Sequence, residues 1–169
     1  MKKSKSKLKL FNVIMIFATV ALAVMTFVSM SFKFVITNGE VLGFGGSKEM
    51  ALGDWMDLVS EATIEQFDVW KTARVFMIVL LVLVAILAVA TLLKFILKGN
   101  KILDLGVQIL AILTLVCAIV FIVLMYVGAN NLNADIGVAS SGYTVSAGAL
   151  CMAIFGGCGA ITGFLAVKK

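Results

Sequence analysis

Histidine and proline are both absent from the 169 residues of this chain, and cysteine occurs only three times. Without histidine, the sequence lacks the commonest general base and the commonest metal ligand. Without proline, it lacks a usual cause of the broken helices that hold substrates in transporters. The cysteines (Cys117, Cys151 and Cys158) lie in apolar runs, so we interpret them as small buried residues rather than disulfide partners or ligands.

Charged residues are missing from four long stretches of the chain. Hydrophobic residues make up 62% of the sequence and charged residues 14%, against roughly 45–50% and 25% in soluble proteins. A helix needs about 20 apolar residues to cross a bilayer, and its backbone groups must bond within their own segment. The four stretches are long enough: 10–32, 75–93, 105–129 and 143–167. We therefore predict an all-α integral membrane protein, a single membrane domain over 1–169 with a four-helix transmembrane bundle.

The basic residues favour one side of such a bundle. On the side of the termini lie Lys2, Lys3, Lys5, Lys7, Lys9, Lys94, Lys98, Lys101, Lys168 and Lys169, and on the other side Lys33, Lys48, Lys71 and Arg74. The positive-inside rule then predicts a multi-pass membrane protein with both termini in the cytoplasm. The first span also resembles a signal peptide with Ser29-Met30-Ser31 as a cleavage site, but it exceeds the usual 7–15 apolar residues, so we favour a retained span.

The sizeable extracytoplasmic loop, 33–72, is predicted to contain a β-hairpin followed by an amphipathic helix. Asn38-Gly39 suits a two-residue turn between strands at 34–37 and 40–42. Ser47 is a suitable N-cap for the helix, with Glu49 in its first turn. Gly53 weakens a single continuous helix, and Thr63 with Gln66 could begin a second one.

On that helix, acidic and aromatic residues are predicted to occupy opposite faces. The acidic residues recur at spacings of three and four: Asp54, Asp57, Glu61, Glu65 and Asp68. Trp55 and Trp70 lie mostly opposite them. The acidic face could bind a divalent cation or a basic partner surface. The simpler interpretation, which we favour, is a solvated face kept away from anionic lipid.

The fourth span is rich in small residues at helical spacing. The residues are Ala149, Ala153, Gly156, Gly157, Gly159, Ala160 and Gly163. Small side chains let helix backbones approach closely, and such packing drives association within lipid. The span is therefore predicted to pack tightly, either within the chain, which we favour, or against a protein partner or a second copy.

These features favour a non-catalytic membrane protein, namely an accessory, scaffold or interaction subunit that acts through its outer loop and fourth span. The alternative is a subunit of an oligomeric channel or transporter, which would need a polar stripe along one span. An intramembrane enzyme would need bases or metal ligands at one depth. Besides the lipid bilayer and such a protein partner, we predict no catalytic residue, cofactor, metal or nucleic acid.

The arrangement of the spans and loops resembles that of claudin-type tetraspan proteins, with a long first outer loop and a short second one. The claudin signature is Trp-Gly-Leu-Trp with two loop cysteines, whereas this chain has Gly53-Asp54-Trp55 and no cysteine in the loop. The chain also resembles small four-span bacterial proteins with a lysine-rich start. The two resemblances imply a topology but no functional residue, and the bacterial one implies the plasma membrane as the location.

Overall fold

The computed structural model describes residues 2–38, 47–63, 65–97, 100–136 and 142–167. Helices account for 86% of these residues, and four of them are long and apolar enough to cross a membrane, as predicted. The helices are α1 (Lys2–Val28), α2 (Leu52–Glu61), α3 (Asp68–Ile96), α4 (Lys101–Ile136) and α5 (Ala147–Val167). The strands are β1 (Val35–Asn38), β2 (Lys48–Met50) and β3 (Gly142–Val145), and 3-10 turns cover Ser29–Ser31 and Glu65–Phe67.

The helix α5 packs against all three other long helices, because its glycines leave room for their side chains. A Cβ atom at each of three glycines would meet a different helix: Gly159 faces Leu22 of α1 at 3.5 Å, Gly156 faces Leu80 of α3 at 3.3 Å, and Gly157 faces Leu115 of α4 at 3.7 Å. A hydrogen bond of 2.9 Å between the hydroxyls of Thr19 and Thr162 also joins α1 to α5. The small residues of α5 thus serve largely to pack α5 against the other long helices of the same chain.

At one end of the bundle, a lysine side chain links three of the long helices. The Lys94 Nζ, at the end of α3, donates a hydrogen bond to the Ala166 carbonyl of α5 at 2.9 Å. It also lies 3.2 Å from the Asp104 Oδ1 near the start of α4, and the two side chains of this ion pair are only 16% and 22% exposed. Three helices therefore meet at one charged group.

The opposite end carries a three-stranded antiparallel sheet in the order β2-β1-β3. In register, Val35 pairs with Met50 on one side and with Val145 on the other. The predicted strand at 34–37 is confirmed as β1, with a shift of one residue. The predicted Asn38-Gly39 turn and the strand at 40–42 extend outside the described residues. The described partners of β1 are instead β2 and β3, which the sequence did not predict.

Three predicted helix boundaries differ from the structure. Ser47 does not cap a helix, because the next residues form β2, in which Met50 is buried and its two predecessors are exposed. The continuous helix over the acidic residues is also wrong, since α2 ends at Glu61 and Ala62 is extended with ψ 119°. The fourth long helix begins at Ala147 rather than residue 143, because 142–145 pairs with β1.

The outer surface of the long helices is apolar. Side chains on all of them are about half exposed, including Val24 (56%), Val82 (52%), Val116 (53%) and Ile154 (57%). A soluble protein rarely exposes so large a contiguous apolar surface. A surface of this kind is suited to lipid tails.

The bundle and the sheet end meet where Trp70 of α3 lies against Gly128 of α4. The Trp70 Nε1 donates a hydrogen bond to the Met125 carbonyl at 3.1 Å, and a Cβ atom at Gly128 would overlap the Trp70 indole. We expect Gly128→Ala to lower the free energy of unfolding by about 1–3 kcal/mol, because the buried indole has no free space to move into.

The matched control is Gly106→Ala on the same helix, where a Cβ atom would meet nothing within 4 Å. This control should be neutral or stabilising by up to about 1 kcal/mol, since alanine is the better helix former. The measurement is thermal unfolding of both variants in the same detergent. Equal melting temperatures for the two variants would contradict the packing described for Trp70.

Candidate functional site

The residues predicted to form an interaction surface divide into a buried group and an exposed group. Trp55 and Trp70 are fully buried, so they support the surface rather than belong to it. All five acidic residues are exposed, namely Asp54, Asp57, Glu61, Glu65 and Asp68. The structure thus keeps the predicted separation of acidic and aromatic residues, although the helix between them is broken. We refer to the sheet, α2 and the Glu65–Phe67 turn as the cap.

Five aromatic rings hold the cap on the bundle. Trp70 is at the centre, with ring centroids 5.3 Å from Tyr143, 5.9 Å from Phe67 and 6.2 Å from Trp55. Phe34, just before β1, continues the cluster at 5.9 Å from Trp55. Most of these contacts are edge-on, the geometry in which such pairs contribute about 0.5–1.5 kcal/mol each beyond their buried area. The cluster connects three segments of the cap with α3.

The break after α2 is what brings the aromatic residues together. The Ala62 N–H closes the last turn of α2 on the Leu58 carbonyl at 3.1 Å, and the extended backbone at Ala62 then ends the helix. A straight helix would carry Phe67 and Trp70 away from Trp55. Because the chain turns instead, the Trp55 and Trp70 rings meet at 67°.

Helix α2 is amphipathic, and its two faces have different surroundings. Its buried residues are Leu52, Trp55 and Val59. Its acidic residues at positions 54, 57 and 61 follow helical spacing and lie on the exposed side. Asp54 lies in the first turn of the helix, where the helix dipole stabilises a negative charge. The bundle therefore holds α2 by its apolar face and leaves the carboxylates in solvent.

The two remaining acidic residues are separate from this face. Glu65 lies in the 3-10 turn, and Asp68 begins α3, where its carboxylate pairs with Lys71 Nζ at 2.8 Å. Among the described residues, no three histidine, cysteine, aspartate or glutamate side chains converge as metal ligands would. Exposed carboxylates without such convergence are suited to a basic protein surface.

A second feature of the cap, not predicted from the sequence, is an asparagine that pairs with the edge of the sheet. Asn133 of α4 donates from its Nδ2 to the Tyr143 carbonyl at 3.0 Å and accepts the Tyr143 N–H on its Oδ1 at 2.6 Å. The side-chain amide thus replaces a fourth strand beside β3. A Cβ atom at Gly142 would lie 2.7 Å from the Asn133 Oδ1, so this close approach requires glycine. The surrounding burial raises the pKa of the Tyr143 phenol.

The interior of the bundle contains few polar side chains that could bind a ligand or take part in a reaction. Within the described chain, the buried polar residues are all hydroxylic: Thr19, Thr26, Ser29, Thr37, Thr91 and Thr114. Those on the long helices donate to carbonyls of their own helix, such as Thr114 to Leu110 at 2.7 Å. The cysteines are free, and the prediction that all are buried holds for Cys117 only, since Cys151 is half-buried and Cys158 is exposed on α5. Asn12, Thr19 and Thr26 recur every seven positions along α1, and both threonine hydroxyls donate to carbonyls of their own helix.

The candidate site is therefore a surface rather than a pocket. It consists of the acidic face of α2, which the aromatic cluster holds on the bundle. Comparison with known proteins adds no family assignment: no family model, no curated protein and no solved structure matches the chain.

We expect Asn133→Ala to destabilise the cap by about 1–3 kcal/mol, because the buried N–H and carbonyl of Tyr143 lose their partners. The effect should be local, appearing as faster hydrogen exchange at the Tyr143 amide. Asn131→Ala is the control, since Asn131 is exposed on the same helix. The pairing at the sheet edge is refuted if both variants exchange as slowly at Tyr143 as the unaltered protein.

Proposed function

We propose that the chain is a non-catalytic integral membrane protein, an accessory, scaffold or interaction subunit. It spans the plasma membrane four times with both termini in the cytoplasm, and it binds a basic surface of a protein partner through the acidic face of α2. The observation that carries this proposal is the amphipathic arrangement of α2, with one face buried and the other exposed. Its tryptophan side is fixed on the bundle, and its carboxylates are exposed.

The apolar outer surface supports placement in a membrane. Half-exposed aliphatic side chains surround the long helices, including Val24, Val82, Val116 and Ile154. The first helix belongs to this arrangement, since α1 provides the Thr19 hydroxyl that bonds Thr162 and the Leu22 side chain beside Gly159. Cleavage after Ser31 would remove these contacts from α5, which supports a retained first span.

The packing of α5 supports the cap, rather than the fourth span, as the surface for a partner. A Cβ atom placed on Gly156 or Gly163 would lie only 3.2–3.3 Å from the side chain of Leu80 or Leu87 of α3, so these leucines pack directly over the glycines. A second copy that used the same small residues would have to displace these leucines. The carboxylates of α2, in contrast, are available without any rearrangement of the bundle.

The topology can be tested with single cysteines in a background that lacks the three native ones. We expect a membrane-impermeant maleimide to label Ser60→Cys on α2 in intact cells. It should label Lys101→Cys only after the cells are permeabilised, because that position lies at the opposite end of the bundle. Labelling of Lys101→Cys in intact cells with protection of Ser60→Cys would reverse the proposed orientation.

The interaction can be tested by affinity purification in mild detergent. We expect a stoichiometric partner to co-purify with the unaltered protein and to dissociate as the salt concentration rises, since exposed charge pairs are screened. The triple variant Asp54→Asn, Asp57→Asn and Glu61→Gln should lose most of this partner and keep its melting temperature, because these residues are exposed.

The control neutralises an equal number of carboxylates away from α2, through Glu49→Gln, Glu65→Gln and Asp68→Asn. This control should retain the partner. Equal loss in both triple variants would mean that the total charge of the cap acts rather than the face of α2. Retention in both would exclude the acidic face as the contact.

A further inference from the structure

The outer faces of α4 and α5 form an open apolar groove that no other part of the described chain covers. Two adjoining cavities make up the groove, with volumes of about 280 and 310 Å³, and they share Leu115 and Ile161. The first cavity, toward the Lys94 end, is lined entirely by aliphatic and aromatic side chains, including Ile112 and Phe164. The groove exists because Ala160 and Gly157 have little or no side chain to fill it.

A lysine lies in line with this groove at the end of α4. Lys101 and Ile119 are separated by about five complete turns of an α-helix, so they share one face. Lys101 is exposed, and it belongs to no ion pair that the described residues form. From Lys101 to Ile112 the helix rises roughly 16 Å, which is close to half of the roughly 30 Å hydrocarbon thickness of a bilayer.

The other charges at this end leave Lys101 available. Asp104 is the one acidic residue between Asp68 and Asp135 in the sequence, and its carboxylate is held by Lys94 at 3.2 Å. Gln108, half-buried on the same face of α4 as Lys101, adds a polar amide between the lysine and the groove. The net charge beside the groove is therefore positive.

We propose that this groove binds one phospholipid with an anionic headgroup, its phosphate at Lys101 and one acyl chain in the cavity between α4 and α5. The inference rests on the proposed placement of the bundle in a membrane. A basic residue at the membrane surface attracts anionic headgroups, and basic sites between spans hold them in preference to zwitterionic ones. The cavity contributes only apolar contacts, so the headgroup selects the lipid and the groove fixes its chain.

The dimensions of the groove favour a lipid chain over a helix of another protein. A helix with side chains is about 10 Å across, so each 10 Å of its length needs roughly 800 Å³. The first cavity, which is the closer of the two to Lys101, provides about 280 Å³. A helix could rest on the rim of the groove but could not enter it, whereas a single acyl chain could lie along its length.

The test uses two phospholipids that carry the same photoactivatable diazirine in the middle of one acyl chain. One is phosphatidylglycerol and the other is phosphatidylcholine, each added at an equal low fraction to vesicles that contain the full-length protein. After irradiation, peptide mass spectrometry maps the labelled positions. We expect labelling at Ile112, Leu115 and Ile161 to be about fivefold higher from phosphatidylglycerol than from phosphatidylcholine, as one lysine at a membrane surface would produce.

Two pairs of variants separate the headgroup from the groove. Lys101→Gln should bring the fivefold preference close to one, whereas Lys71→Gln, at the opposite end of the bundle, should leave it unchanged. Ile161→Trp should fill the groove and reduce its labelling by either lipid. Ile86→Trp, at a comparably exposed position of α3 (45% against 49% for Ile161), should have no such effect.

Each remaining outcome overturns a defined statement. Uniform labelling around the four long helices, with no excess in the groove, would leave the membrane placement intact and refute the lipid site. Equal groove labelling by both lipids, unaffected by Lys101→Gln, would refute the anionic headgroup. Groove labelling by both lipids that falls as the amount of protein per vesicle rises would replace the lipid with a second copy of the chain. No labelling of the long helices at all would refute the membrane placement itself.

Discussion

The contact between Trp70 and Gly128 is the interaction on which the rest of the structure depends. The indole fills the space that the missing side chain of Gly128 leaves, and its N–H satisfies the Met125 carbonyl at 3.1 Å. On its other side the same ring contacts Trp55, Phe67 and Tyr143. One side chain therefore joins α3 to α4 and joins both to the cap. A rigid cap is in turn what allows α2 to present charge in a fixed direction.

The bundle combines close contact between its helices with the burial of large side chains such as Phe121, Met77 and Leu80. Within lipid, removing an apolar side chain from its surroundings gains little, so helices associate through van der Waals packing and a few hydrogen bonds. Four glycines of α5 serve this purpose, because a Cβ atom at Gly156, Gly157, Gly159 or Gly163 would lie only 3.2–3.7 Å from a leucine of a neighbouring helix. The Lys94 contact with Asp104 and Ala166 provides the polar counterpart at one end. In the proposed membrane setting, small residues and one shared charge thus add to the packing of the buried side chains.

The sequence predicts those parts of the fold that depend on local composition. Uncharged runs of sufficient length identify the long helices, and the spacing of small residues in the fourth span indicates close packing. The acidic positions on α2 follow from their helical spacing, and their exposure agrees with it. In each case the pattern lies within one segment, so the nearby residues alone contain the information.

Features that depend on distant segments could not be predicted in this way. Tyr143 and Val145 extend an apolar run and therefore resemble the start of a span, yet they pair with β1, more than 100 positions earlier in the chain. Asn133 appears in the sequence as one polar residue near a helix end, and only the position of β3 reveals its pairing. At the break after α2 the sequence allowed either one helix or a second helix from Thr63, and the contact between Trp55 and Trp70 is compatible only with the broken form.

The two ends of the proposed membrane bundle place their charges in different dielectric surroundings, which explains how one small chain could hold two kinds of partner. The carboxylates of α2 face water, where a charge acts over about 8 Å at physiological salt, so they favour a contact that forms and dissociates readily. Lys101 stands where the apolar surface of α4 begins, and an ionic contact strengthens as the surrounding dielectric falls. A lipid held there would stay with the bundle while a protein partner exchanges at the cap. Because α4 carries both Lys101 and the Asn133 that fixes the sheet edge, one helix connects the two sites.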